Sequence, residues 1–145
     1  MSDVEINLPE VHAELSAIFD RYERALIEND IDVLNELFWQ SDHTIRYGIS
    51  ENLHGFSEIA EYRRRVVNKQ ASRSLDKTVI TTFGNNFGTV NTEFIVEGGR
   101  GRQSQTWMRL NHGWRIVAAH VSMPVRNDSD SGQRRSAVAV HDPAG

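Results

Sequence analysis

The stretch GRQSQTWMRLNHGWRIVAAHVS, residues 101–122, restricts the possible folds more than any other part of the chain. Two runs rich in Trp, Met, Leu, Ile and Val flank Asn111-His112-Gly113, a run-turn-run pattern that predicts an antiparallel hairpin. On the second run a period of two puts Trp114, Ile116, Ala118, His120 and Ser122 on one face, and Arg115, Val117, Ala119 and Val121 on the other. Both faces are largely apolar, so neither can be left to water. Helices can cover only one of them. The other is expected to meet a second copy of the chain, in a homodimer or homotetramer.

The rest of the chain supplies those helices. Pro9 stands where a first helical turn tolerates it, and from Glu10 to Glu28 the apolar groups Val11, Leu15, Ile18, Phe19, Tyr22, Ala25 and Leu26 form one stripe. Tyr22 falls near the centre of that stripe, so its ring points inward. Asn29 ends the helix, and Asp30 caps a short second one whose inner residues are Ile31, Leu34, Leu37 and Phe38. From Asp42 to Gly48 the pattern is a strand in which Ile45 and Tyr47 alternate with Thr44 and Arg46. SENLHG, residues 50–55, is turn-rich and holds only a short strand.

Phe56 and Ser57 open a third helix with Ile59, Tyr62, Val66 and Val67 inward. Arg64 and Arg65 diverge from its apolar stripe, whereas Arg63 lies within it, so that guanidinium must find a partner. The remaining basic residues of this region, Arg64, Arg65, Lys69, Arg73 and Lys77, read as a solvated face. Leu75 to Phe83 and Phe87 to Val96 are long strands joined by Gly84-Asn85-Asn86, and Gly98-Gly99 turns into the hairpin. The sum is an α+β fold, a curved antiparallel sheet with three N-terminal helices packed on one face.

With 145 residues, this is one domain, 1–125, followed by a polar tail, 126–145, in which Ala137 to Val140 can dock on a neighbour. The absence of cysteine excludes a disulfide framework, a thiol nucleophile and thiolate-bound zinc. A net charge of -4 argues against nucleic acid as a partner. No long apolar run or signal peptide is present, which predicts a soluble cytoplasmic protein with no membrane partner. His12, His43, His54, His112, His120 and His141 are scattered without metal-ligand spacing, so neither a metal nor a cofactor is expected.

Helix, short helix, strand, helix and four strands, closing on Trp-x-Ile-x-x-x-His-x-Ser, resembles the nuclear transport factor 2-like or SnoaL-like cone fold. More narrowly, FWQSDHTIRYGISENLHGFSEIAEYR (residues 38–63), TEF (92–94) and the hairpin stretch resemble the AtzH-like family, and the likeness spans nearly everything from Val11 to Ser122. Polar groups such as Arg46, Asn52, Gln103 and Gln105 match as well as core ones. The resemblance implies a decarboxylating amidohydrolase of bacterial cyanuric acid breakdown, converting 1,3-dicarboxyurea to allophanate and carbon dioxide. The fold alone implies no chemistry, since such cones host isomerases, dehydratases, cyclases and binding proteins.

A dicarboxyurea is a small planar dianion, and arginine is the side chain whose fork donates in parallel to a carboxylate at any working pH. Arg46 and Arg63 are the candidates. Strand alternation by itself puts Arg46 on the surface, opposite an inward Ile45 and Tyr47; the resemblance implies instead a catalytic residue. Arg63 matches the family's Tyr-Arg pair, or it makes a salt bridge to Glu14 or Glu23 on the first helix.

Tyr22 is the expected proton carrier, since a tyrosine hydroxyl ordinarily titrates near about 10 and is a donor at pH 7. Otherwise it is a core tyrosine with a satisfied hydroxyl. Asn52, Gln105 and His120 complete the expected substrate-binding set, with His54 and Glu93 as further pocket candidates; Asn52, His54, Glu93 and Gln105 are equally readable as structural, and a histidine placed like His120 is more often a hydrogen-bonded core residue than a base. A non-catalytic cone that binds a carboxylated metabolite or joins an amidase complex is the alternative function. A steroid-type isomerase is a third, and it requires Glu93 in the pocket as base.

Overall fold

The computed structural model describes residues 3–67 and 70–124. In chain order its elements are α1 (Pro9–Glu28), α2 (Ile31–Leu37), β1 (Ile45–Tyr47), β2 (Asn52–His54), α3 (Phe56–Arg65), β3 (Ser74–Phe83), β4 (Phe87–Val96), β5 (Gly99–Leu110) and β6 (Gly113–Ser122). The tail, including Ala137 to Val140, and Lys69 lie outside the described residues.

Local signals set the helix ends. Pro9 occupies the first turn of α1, and Asn29 closes it in the left-handed conformation at φ 55°. There the amide of Asn29 donates to Leu26 and that of Asp30 to Ala25. Asp30 then caps α2, its carboxylate accepting from the Val33 amide at 3.3 Å. Helix α3 stops at Arg65, one residue short of Val66, so Val67 is not inward as its spacing suggested but 82% exposed.

The six strands form one sheet in the order β2-β1-β6-β5-β4-β3. It is not wholly antiparallel, because β1 runs parallel to β6. These two strands are far apart in sequence and no hairpin ties their directions, so packing decides the pairing. Helix α1 lies over β3, α2 over β6 and α3 against β2. Beneath them Leu15, Phe19, Leu26, Leu34, Leu37, Phe38, Ile59, Trp107, Trp114 and Ile116 form the main core.

Two rows of side chains cross the whole sheet. Leu53, Arg46, Ala119, Gln105, Val90 and Ile80 are successive cross-strand partners on the helix-covered face. Asn52, Tyr47, His120, Ser104, Asn91 and Val79 are the equivalent partners on the outer face. In the single chain that outer face leaves Val79 47% and Ile95 37% exposed.

A β-bulge fixes which residues of β6 belong to which row. Thr106 pairs with Ala118 but Trp107 pairs with Ile116, so Val117 is an extra residue on β6. The period of two is broken there. Trp114 and Ile116 face the core before the bulge, Ala119 and Val121 face it afterwards, and His120 is turned outward and exposed. The uniform alternation expected from sequence therefore fails in the second half of the strand.

Arg73, expected on a solvated face, is instead buried. Its guanidinium donates to both Glu23 oxygens at 2.7 and 3.1 Å, to Gln103 at 3.2 Å and to Gln70 at 3.1 Å, and it lies 4.1 Å from the centre of the Phe94 ring. Gln103 also donates to Glu23 at 3.2 Å, which closes the network. Replacing Glu23 by alanine strands a buried cation, and the expected loss is about 3–5 kcal/mol in urea unfolding. A loss below about 1 kcal/mol would show that the network does not hold α1 to the sheet.

Candidate active site

Helical periodicity carries Tyr22 into the core, where it is 1% exposed. Its ring meets Trp107 edge-on at 6.3 Å and tilts against Phe38 at 6.2 Å. Arg63 reaches the same place from α3, one turn after the fully buried Ile59. Its guanidinium carbon sits 5.4 Å from the centre of the Phe38 ring, and Tyr22 is close enough to contribute to its electrostatic surroundings. Neither helix-one carboxylate pairs with it. Glu14 is held by the Trp114 indole at 2.6 Å and by Arg109 at 2.8 Å, and Glu23 belongs to Arg73.

Arg46 is the middle residue of β1, and its side chain is inward, not on the surface as alternation by itself suggested. Its register explains this: it pairs with Leu53 on one side and Ala119 on the other, both buried on the helix-covered face. The guanidinium carbon lies 5.3 Å from the centre of the Tyr62 ring, and one terminal nitrogen donates to Glu51 at 2.7 Å. Glu51 is in the turn between β1 and β2. Its position was not legible in the sequence, where SENLHG offered only turn composition.

Gln105 lies in the same inner row as Arg46, with the small Ala119 between them. Its side-chain carbonyl accepts from the Trp107 indole at 2.9 Å. Its amide nitrogen is buried and has no partner, and the same holds for Nε and one terminal nitrogen of Arg63. Buried donors without acceptors are uncommon and costly, and they match a ligand rich in acceptor oxygens.

The electrostatics point the same way. Burial pushes the Arg63 pKa below arginine's ordinary value; attraction to Tyr22 opposes that shift, and repulsion from Arg46 adds to it. Two guanidiniums close enough to repel are both relieved by one shared anion. Tyr22, Arg46, Arg63 and Gln105 thus converge beneath the helices, and all four are closed off from solvent. Two surface grooves lie elsewhere, one of about 510 Å³ beside Trp39 and Arg115, the other of about 480 Å³ between α1 and β3.

Asn52, His54 and His120 do not join this group. They lie on the outer face around Tyr47, whose ring centre is 5.8 Å from both imidazoles. The bulge at Val117 turns His120 outward, and Asn52 follows because it pairs directly with Tyr47. Glu93, the base an isomerase would need, is exposed and pairs with Arg102 and Lys77 across the outer face. Among the described residues no three histidine or acidic side chains cluster as a metal site would, and no helix is long and apolar enough to cross a membrane.

Comparison with other proteins bears on the family and the fold. A family model described as AtzH-like matches residues 4–127. A cystatin-like fold protein from Burkholderia xenovorans is 48% identical over 86% of this chain and 99% of its own, with a TM-score of 0.82. A protein of unknown function of the DUF3225 family, from Pectobacterium atrosepticum, is 47% identical over 83% of this chain and 95% of its own, at 0.80. A nuclear transport factor 2-like protein from Salmonella enterica is 25% identical over 81% and 94%, at 0.65. No match is found among curated proteins.

Proposed function

The chain belongs to the AtzH-like family, and from that membership we propose a decarboxylating amidohydrolase that converts 1,3-dicarboxyurea to allophanate and carbon dioxide in bacterial cyanuric acid breakdown. The observation that carries the reading is the meeting of Tyr22, Arg46 and Arg63 in one buried cluster with unpaired donors. A urea flanked by two carboxylates supplies acceptors for all of them.

In this reading Arg63 and Arg46 each hold one terminal carboxylate, and the Gln105 amide donates to the central carbonyl. The bond between a urea nitrogen and its terminal carboxyl carbon breaks. Its electron pair stays on nitrogen, which takes a proton from Tyr22, and the carboxyl group leaves as carbon dioxide. Charge and atoms balance: the dianion plus one proton gives the allophanate monoanion and carbon dioxide. Arg63, whose positive charge lies beside Tyr22, stabilises the phenolate until the proton is returned.

Incubating the purified protein with freshly prepared dicarboxyurea and following allophanate tests the proposal. Formation well above the spontaneous rate is expected. Only the spontaneous rate, with the ligand nonetheless bound, would leave a non-catalytic binding cone.

A further inference from the structure

Resting on that reading, a charge count sets a condition on how the dianion enters. Of the two guanidiniums, Arg46 already has a carboxylate, Glu51 at 2.7 Å. Among the described residues Arg63 makes no ion pair, and two of its nitrogens lack any acceptor. The closed site therefore offers one uncompensated positive charge. It suits a monoanion as it stands, and it suits a dianion only if Glu51 gives up its place.

Glu51 is built to do so. It lies in the short turn between β1 and β2, its side chain is 14% exposed while that of Arg46 is 0%, and its other oxygen accepts from the exposed Ser50 hydroxyl at 3.1 Å. One oxygen of the carboxylate thus meets the buried guanidinium and the other an exposed serine hydroxyl. Rotation outward would withdraw this carboxylate from the terminal nitrogen of Arg46. We propose that Glu51 is an exchangeable counterion: it occupies the substrate-carboxylate position on Arg46, yields it to a dianion, and retakes it once decarboxylation leaves a monoanion. Glu51 then sets the affinity difference between substrate and product, acting through Arg46 as a positioning residue.

The test uses two probes that cannot lose carbon dioxide through a β-carbonyl, 3-hydroxypentanedioate (dianion) and 3-hydroxybutanoate (monoanion), titrated by calorimetry against wild type and Glu51→Gln. Removing the competing charge should tighten the dianion by about tenfold to a hundredfold, the value of one charge-assisted hydrogen bond. The monoanion should tighten by only about two- to threefold, the statistical gain of a second open guanidinium. Glu51→Asp, which keeps the charge but shortens its reach, should fall between.

Glu61→Gln, on exposed α3 surface, makes the same change in net charge and should leave both affinities within about twofold. Equal or weaker dianion binding by Glu51→Gln, in a protein whose wild type binds the dianion and turns over dicarboxyurea, overturns the exchange and leaves the enzyme reading intact. If neither wild type nor Glu51→Gln binds either probe, and dicarboxyurea is not turned over, both readings fall together.

Discussion

Arg46→Ala is expected to lower kcat/KM for dicarboxyurea by about a thousandfold, because it removes the fork that holds one carboxylate and offsets charge during cleavage. The fold should survive. Glu51, the partner left behind, is partly exposed and can turn to water, unlike Glu23 beneath α1. The truncation does leave space above Tyr62, which stacks on the guanidinium, so circular dichroism and unfolding should accompany the kinetics. Arg46→Lys fills that space and keeps the charge but cannot donate two parallel bonds, and a loss of roughly a hundredfold is expected for it. Wild-type turnover by a folded Arg46→Ala protein would remove this residue from the chemistry.

Tyr22→Phe should reduce kcat by about a hundredfold to ten-thousandfold while KM moves far less, the signature of a group that acts on the proton and not on binding. Phenylalanine preserves the edge-on contact with Trp107 and the packing on Phe38. The one new defect is the loss of the hydroxyl that lies in the electrostatic surroundings of Arg63. That costs stability on the order of 1–3 kcal/mol, visible as a lower midpoint in urea. A variant with unchanged kcat and lowered stability would make Tyr22 a structural partner of Arg63 and nothing more.

Both substitutions bear on the closed form of the site. Every group assigned to the reaction is buried, and Glu51, which pairs with Arg46, is itself partly exposed. Access and charge balance are therefore linked at one residue.

The sequence was most informative where structure is locally encoded. An α-helix repeats the same hydrogen bond every residue, so angular arithmetic correctly put Tyr22 in the core and separated buried Arg63 from exposed Arg64 and Arg65. Asp30 as a cap and Asn29 as a terminator are equally local. Strands gave up less. β1 is three residues long, and the direction of Arg46 depends on its pairing with Ala119, far along the chain. Alternation along the strand cannot supply that information, whereas the family resemblance could point to Arg46 without explaining its burial.

What the chain determined by itself was its helices, their inward faces, the closing hairpin and the AtzH-like pattern of polar residues. Only the tertiary structure decided the parallel seating of β1 beside β6, the outward turn of His120 after Val117, the burial of Arg73 against a carboxylate 50 residues earlier, and the placing of Glu51 on Arg46. The physical reason is common to all four. Strand facing is set by a partner's register and one extra residue inverts it, and a buried charge is fixed by whichever opposite charge the fold brings near, neither of which is written in the spacing of neighbours.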